Sequence, residues 1–192
     1  TWLIRNIIEL GAGASLSIVE HYLGVEGTTH LGNVYNQIVL SDQSQLSFLR
    51  LQNESVQMSL IQRSEFTLAA NATLNMTHLE LGAQLAHHEI RIELAGVGAR
   101  VNVHGACTVK GRQHNDTQLS VLHHARDCIS NVFWRGVANG RSRSVFHGAI
   151  TVVPGADGAE AHLSNKNLLL SSHAEVDAKP VLEIYADEVK AS

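Results

Sequence analysis

The stretches Leu40-Ser-Asp-Gln-Ser-Gln-Leu46 and Leu68-Ala-Ala-Asn-Ala-Thr-Leu74 decide the fold, because they are one device placed twice, 28 residues apart. In each, an apolar run ends, a small or polar corner follows, and a new run opens on Leu. The same unit occurs as Leu10-Gly-Ala-Gly-Ala-Ser-Leu16 and, one residue longer, as Leu94-Ala-Gly-Val-Gly-Ala-Arg-Val101. Looser copies are Leu122–Ile129, Val153–Ala161 and Leu170–Val176. The closing apolar positions 16, 46, 74, 101, 129 and 161 lie 30, 28, 27, 28 and 32 residues apart. A period near 28 is that of a stacked array, whose units bury their apolar faces only against one another.

Between the corners the pattern has period two. Val101, Val103, Cys107 and Val109 fall on one face, and Arg100, Asn102, His104 and Thr108 on the other. Ile90, Ile92 and Leu94 likewise alternate with Glu89, Arg91 and Glu93. This is strand patterning. Helical repeats, leucine-rich repeats and hexapeptide helices would each show a signature that is missing. Small and αL-tolerant corner residues (Gly, Asn, Asp, Ala) suit the tight bends of a coil. The expected fold is therefore all-β, a parallel β-helix with coils of about 28 residues forming a single domain over residues 1–192. An antiparallel sandwich would need dominant two-residue hairpin turns, which the chain lacks.

The 192 residues carry a net charge of −4 and a pI near 6.3, which argues against a nucleic-acid or anionic-membrane surface. No apolar run reaches the ~18 residues of a membrane helix. Two cysteines, Cys107 and Cys128, are too few for a disulfide framework and are read as reduced thiols. The sequons at Asn53, Asn71, Asn75 and Asn115 are what polar strands generate by chance. The chain opens at Thr1 in an apolar run and is expected to be a core lacking its flanking helical regions.

Little chemistry is legible. No phosphate-cradling loop occurs. The pairs His87/His88 and His123/His124 stand on strand-like segments, where neighbours point to opposite faces, so neither pair chelates one ion easily; solvated or corner positions are expected. No catalytic or metal-binding residue is assigned. A carbohydrate-active β-helix enzyme, the competing reading, would require carboxylates aligned along successive coils. Near the end, the apolar runs Leu168–Leu170 and Val181–Tyr185 are expected to flank a polar corner carrying Asp177, Lys179 and Pro180.

The second half, read as one string, is distinctive: His123, Cys128, Ser130, then Ser144-Val-Phe-His-Gly-Ala-Ile150, Asn167-Leu-Leu-Leu170, and Ala174-Glu-Val-Asp-Ala-Lys-Pro-Val-Leu-Glu-Ile-Tyr-Ala-Asp-Glu-Val-Lys190. It resembles the core domain of the SUF iron–sulfur assembly scaffold family, on its SufD rather than its SufB side. The resemblance implies a right-handed parallel β-helix and a cytoplasmic, non-enzymatic scaffold. It also implies pairing with SufB or with itself, contact with the ATPase SufC through a C-terminal region, and a nascent Fe–S cluster at the SufB–SufD contact. The family pattern usually continues Val-Lys-Cys-Ser-His-Gly-Ala; here position 191 is Ala191, and the chain ends before the His, so no cluster ligation is expected from these residues. Cys128 matches a recurring family position, where a place in a strand implies packing. The residues expected to line the pairing end are Lys179, Pro180, Glu183, Tyr185 and Asp187.

Overall fold

A computed structural model describes every residue except 25, 26 and 28. The described chain forms fourteen strands and no helix. They are β1 (Trp2–Leu10), β2 (Ser15–Leu23), β3 (His30–Leu40), β4 (Gln45–Asn53), β5 (Met58–Leu68), β6 (Thr73–Glu80) and β7 (Leu85–Leu94). Then come β8 (Arg100–Val109), β9 (His114–His123), β10 (Ile129–Ala138), β11 (Arg143–Val152), β12 (Glu160–Leu169), β13 (Glu175–Ile184) and the short β14 (Lys190–Ala191). Odd-numbered strands make one sheet in chain order and even-numbered strands the other. Every pairing is parallel and joins strands two apart. The chain thus climbs a two-sheet β-helix, one strand per sheet per coil, as the period and the alternation require.

The corners explain why that period was visible. The third residue of each tight bend, Gly13, Gln43, Asn71, Gly98, Asp127 and Gly158 in successive coils, is left-handed, with φ between +55° and +74°. Gly, Asn and Asp enter this region at low cost. Each bend is tied to its neighbour: Gln43 donates its N–H to Ala70 O, Asn71 to Val97 O, and Gly98 to Arg126 O. The corner column is a ladder in its own right.

Inward side chains stack into apolar columns. Leu40, Leu68 and Leu94 form one; Leu46, Leu74 and Val101 form another, and all six are fully buried. Each contributes about 1.5–3 kcal/mol by leaving water. Cys107 and Cys128 are free and buried. Cys128 was expected in a strand and does not lie in one. It occupies the corner before β10, where its thiol reaches Gly96 O at 3.3 Å, because the tight bend there turns carbonyls toward the core. Its side chain sits in the main apolar cluster of the bore.

Candidate functional site

Two regions stand out: the open end at β12 and β13, and a polar section inside the bore. The first corrects an expectation. Asp177, Lys179 and Pro180 do not form a corner; they lie within β13, and the bend is at residues 170–174. The strand tolerates Pro180 because, among the described residues, no further strand of its sheet lies beyond it. Glu175 and Tyr185 donate their backbone N–H groups to Ser142 O and Val152 O, on the β11 side. In a parallel ladder alternate residues face alternate neighbours. Odd-numbered residues therefore bond toward β11, and even-numbered ones, Pro180 included, turn their backbone to the free edge. The proline ring costs the existing ladder nothing.

In the opposite sheet the last described strand is β14. β14 pairs with β12 only at Glu160 and Ala161, and Ser192 O accepts one further bond from Leu163 N. Beyond that, the outer edge of β12 has no strand beside it among the described residues. Among the described residues no side chain caps the bore here. Leu169, Leu182 and Ile184 face it yet are 52%, 39% and 41% exposed. Ala178 and Pro180 share with Leu163 and Asn165 an open hollow of about 580 Å³.

The five expected interface residues are all exposed at this end, but they do not form one surface. Pro180 faces the bore. Lys179 and Glu183 lie on the outer face of β13, where Glu183 accepts a bond from Thr151 Oγ1 at 3.4 Å, and Tyr185 follows directly after the strand. Asp187 belongs to the following corner, its N–H donating to Asp157 Oδ1. Leu169, Leu182 and Ile184 complete the end. Their apolar runs were visible, but which of them would lack a covering coil depends on the stacking.

The second region, midway along the bore, is unexpectedly polar. Arg50, 1% exposed, donates from Nε to Gln62 Oε1 at 2.7 Å and from Nη1 to Glu80 Oε1 at 3.3 Å. Thr117 Oγ1 donates to Glu80 Oε2 at 2.7 Å. On the N-terminal side, Glu20 accepts from Asn36 and Gln62. Toward the open end, Trp134 and Phe146 stack at 4.9 Å and close the section off.

Here the reading of the histidine pairs as solvated needs correction. Strand alternation places one member of each pair inside: His88 and His123 are fully buried, while His87 lies on the outer face with Asp116. His78 enters the bore from the facing strand and stacks on His88, centroids 5.2 Å apart. Burial drives both imidazoles well below the ordinary histidine range; the neighbouring His88 reinforces this for His78, and Arg50 for both. They are neutral at pH 7. The sequence signal was His78 and His88 lying at inward positions of one coil.

His123 contacts Ser130 Oγ at 2.8 Å, and burial, helped by His124, lowers its pKa from 6.5 to about 4. Below pH 6.5 the unfolded chain takes up a proton that the folded chain refuses. Stability should therefore fall as pH drops through that window and level off near 4, by on the order of 3 kcal/mol from His123 alone. His78 and His88 act in the same sense. Glu54 acts oppositely, because burial raises its carboxyl pKa and its contribution fades as pH rises. Urea midpoints measured from pH 7 to pH 4 should show a slope that His123→Gln flattens; an unchanged slope would assign the acid sensitivity elsewhere.

On the outer face of the odd-numbered sheet the carboxylates are matched by arginines. Arg63 pairs with Glu65 at 2.6 Å and Glu89 at 3.4 Å, and Arg91 with Glu93 at 2.8 Å. Among the described residues this face carries no unpaired acidic column of the kind a glycoside-cleaving site needs.

Residues 1–192 match the family described as SUF system FeS cluster assembly, SufBD core domain. The iron–sulfur cluster assembly protein SufD of Escherichia coli (strain K12) is 27% identical over 188 residues, covering 98% of this chain and 44% of that protein. An iron–sulfur cluster assembly SufBD family protein of Synechocystis sp. is 24% identical over 196 residues, covering 98% and 43%. The chloroplastic protein ABCI7 of Arabidopsis thaliana is 25% identical over 190 residues, covering 98% and 40%. The chain spans under half the length of these curated relatives.

Proposed function

Because this chain belongs to the SufBD core-domain family of the SUF iron–sulfur cluster assembly system, we propose that it is a cytoplasmic scaffold subunit whose β12–β13 end pairs with SufB or with a second copy of itself. The observation that carries this reading is the edge of β13, which has no further strand beside it among the described residues and lies next to bore-facing apolar side chains. Free N–H and C=O groups invite strand addition, and Leu169, Leu182 and Ile184 supply apolar area beside them. Lys179 and Glu183 on the outer face of β13, and Tyr185 just past its end, would then contact the partner, with Pro180 at the bore and Asp187 at the corner. SufC is the expected third subunit of the assembly. The nascent Fe–S cluster is cargo held at the SufB contact, and Ala191 offers it no thiolate. No turnover by this subunit alone is proposed.

Ile184 tests the edge directly. It is an even-numbered residue of β13, so its N–H faces the free edge and not β11. Ile184→Pro should leave the internal ladder intact while removing one donor from the partner. Co-purification with SufB, or self-association by analytical ultracentrifugation, should weaken at least tenfold, about the worth of one hydrogen bond. A folded variant that pairs like the wild type would place the interface elsewhere.

A further inference from the structure

We infer that His78, Glu80 and His88 form an internal site for one divalent first-row transition-metal ion. This goes beyond the docking reading and does not depend on how the ends of the solenoid are paired. His78 and Glu80 are two residues apart on the inward face of β6, and His88 faces them from β7. One ligand atom from each lies within 4.8 Å of the others, and all three residues are buried. A central ion could bond to all three at the ~2.0–2.2 Å of imidazole and carboxylate ligands after a small inward shift of the side chains.

The surrounding contacts fit ligation. His88 Nε2 lies 3.0 Å from Ser64 Oγ, which leaves Nδ1 pointing inward, 3.9 Å from Glu80 Oε1. Metal-bound histidines are commonly held by such a bond on their second nitrogen. Glu80 is held the same way, its Oε2 accepting from Thr117 and leaving Oε1 toward the site. His78 is the clearest sign. Neither of its ring nitrogens has a hydrogen-bond partner among the described residues, although the side chain is fully buried. A buried polar group without a partner is rare and calls for an explanation.

Arg50 limits the choice of ion. Its guanidinium sits 3.3 Å from Glu80 Oε1 and offsets the carboxylate charge. Mg²⁺ and Ca²⁺, which bind through oxygen and charge, are disfavoured. Ions that bond strongly to imidazole, such as Zn²⁺, Co²⁺ or Fe²⁺, are favoured, and two histidines with one carboxylate is a donor set such ions use.

Since the site is enclosed, the ion should load while the chain folds. The test is to unfold the purified protein with chelator, refold it with Co²⁺, and remove the excess. One Co²⁺ per chain should remain, with visible d–d absorption and a melting temperature higher by about 5 °C or more. His78→Leu should fold, because it removes unpartnered nitrogens, and should retain at least tenfold less Co²⁺. His88→Gln should lose binding equally and provides the check if His78→Leu does not fold. A folded wild type that retains no Co²⁺ would overturn the proposal. So would retention unchanged in both variants, which would place the ion on surface histidines.

Discussion

Glu80→Leu, measured in the presence of chelator, should lower the unfolding free energy by about 3–5 kcal/mol, since it leaves the buried Arg50 charged and unpaired. Arg50 keeps its bond to Gln62, but its charge has no other carboxylate at ion-pair distance among the described residues. Thr117 loses its acceptor in the same step. Adding Arg50→Met should return most of the loss. Once both charges are gone, the desolvation penalty goes with them, and apolar replacements of buried pairs are often neutral or stabilising. The measurement is a double-mutant cycle by urea unfolding. Simple addition of the two single costs would mean that the pair is not energetically coupled, and the polar section would then be read as independent contacts.

The second large effect concerns Gly105 and Trp134. In the β8–β10 register Trp134 lies directly across from Gly105, and its six-membered ring occupies the space a side chain would fill. A Cβ at Gly105 would meet Trp134 Cε3 at 1.9 Å, a separation no packing allows. Gly105→Ala should cost about 3 kcal/mol or more, because Trp134 is held between Phe146 and the bore wall and cannot swing away. Trp134→Ala should cost about 3–5 kcal/mol through the cavity it opens. The double variant Gly105→Ala/Trp134→Leu should be more stable than the sum of those costs, since the new methyl fills part of the vacated space. Thermal and urea unfolding of the three variants decide it; an innocuous Gly105→Ala would mean that the indole is mobile.

The solenoid was legible because its two determinants are local. A left-handed residue must recur at each bend, and apolar residues must alternate along each strand; both leave marks at fixed intervals. What could not be read were the relations across the bore. Nothing in His87-His88 says which member turns inward until the strand is placed, and nothing couples His88 to His78 until two sheets face each other. Arg50 and Glu80, 30 residues apart, look like ordinary surface charges in the linear chain. Pro180 was misplaced for a related reason. Proline ordinarily marks a bend, and only the position of β13 at the edge of its sheet frees the backbone site that proline occupies. Leu169, Leu182 and Ile184, which face the bore beside the expected pairing residues, went unread because whether such a side chain is covered depends on how the coils stack.

The ladder of left-handed bends also explains how the chain keeps its place while its coils differ in length. Odd-numbered strands from β3 onward begin at residues 30, 58, 85, 114, 143 and 175, yet the strands they open keep to 10 or 11 residues. Much of the extra length of the longest coil enters at residues 153–159, between β11 and β12, where Gly155 and Gly158 let the bend widen. The strands act as a ruler and the corners as slack. An insertion at a bend lengthens one loop and leaves every column above and below it aligned, whereas a single residue added to a strand would turn the rest of that strand inside out.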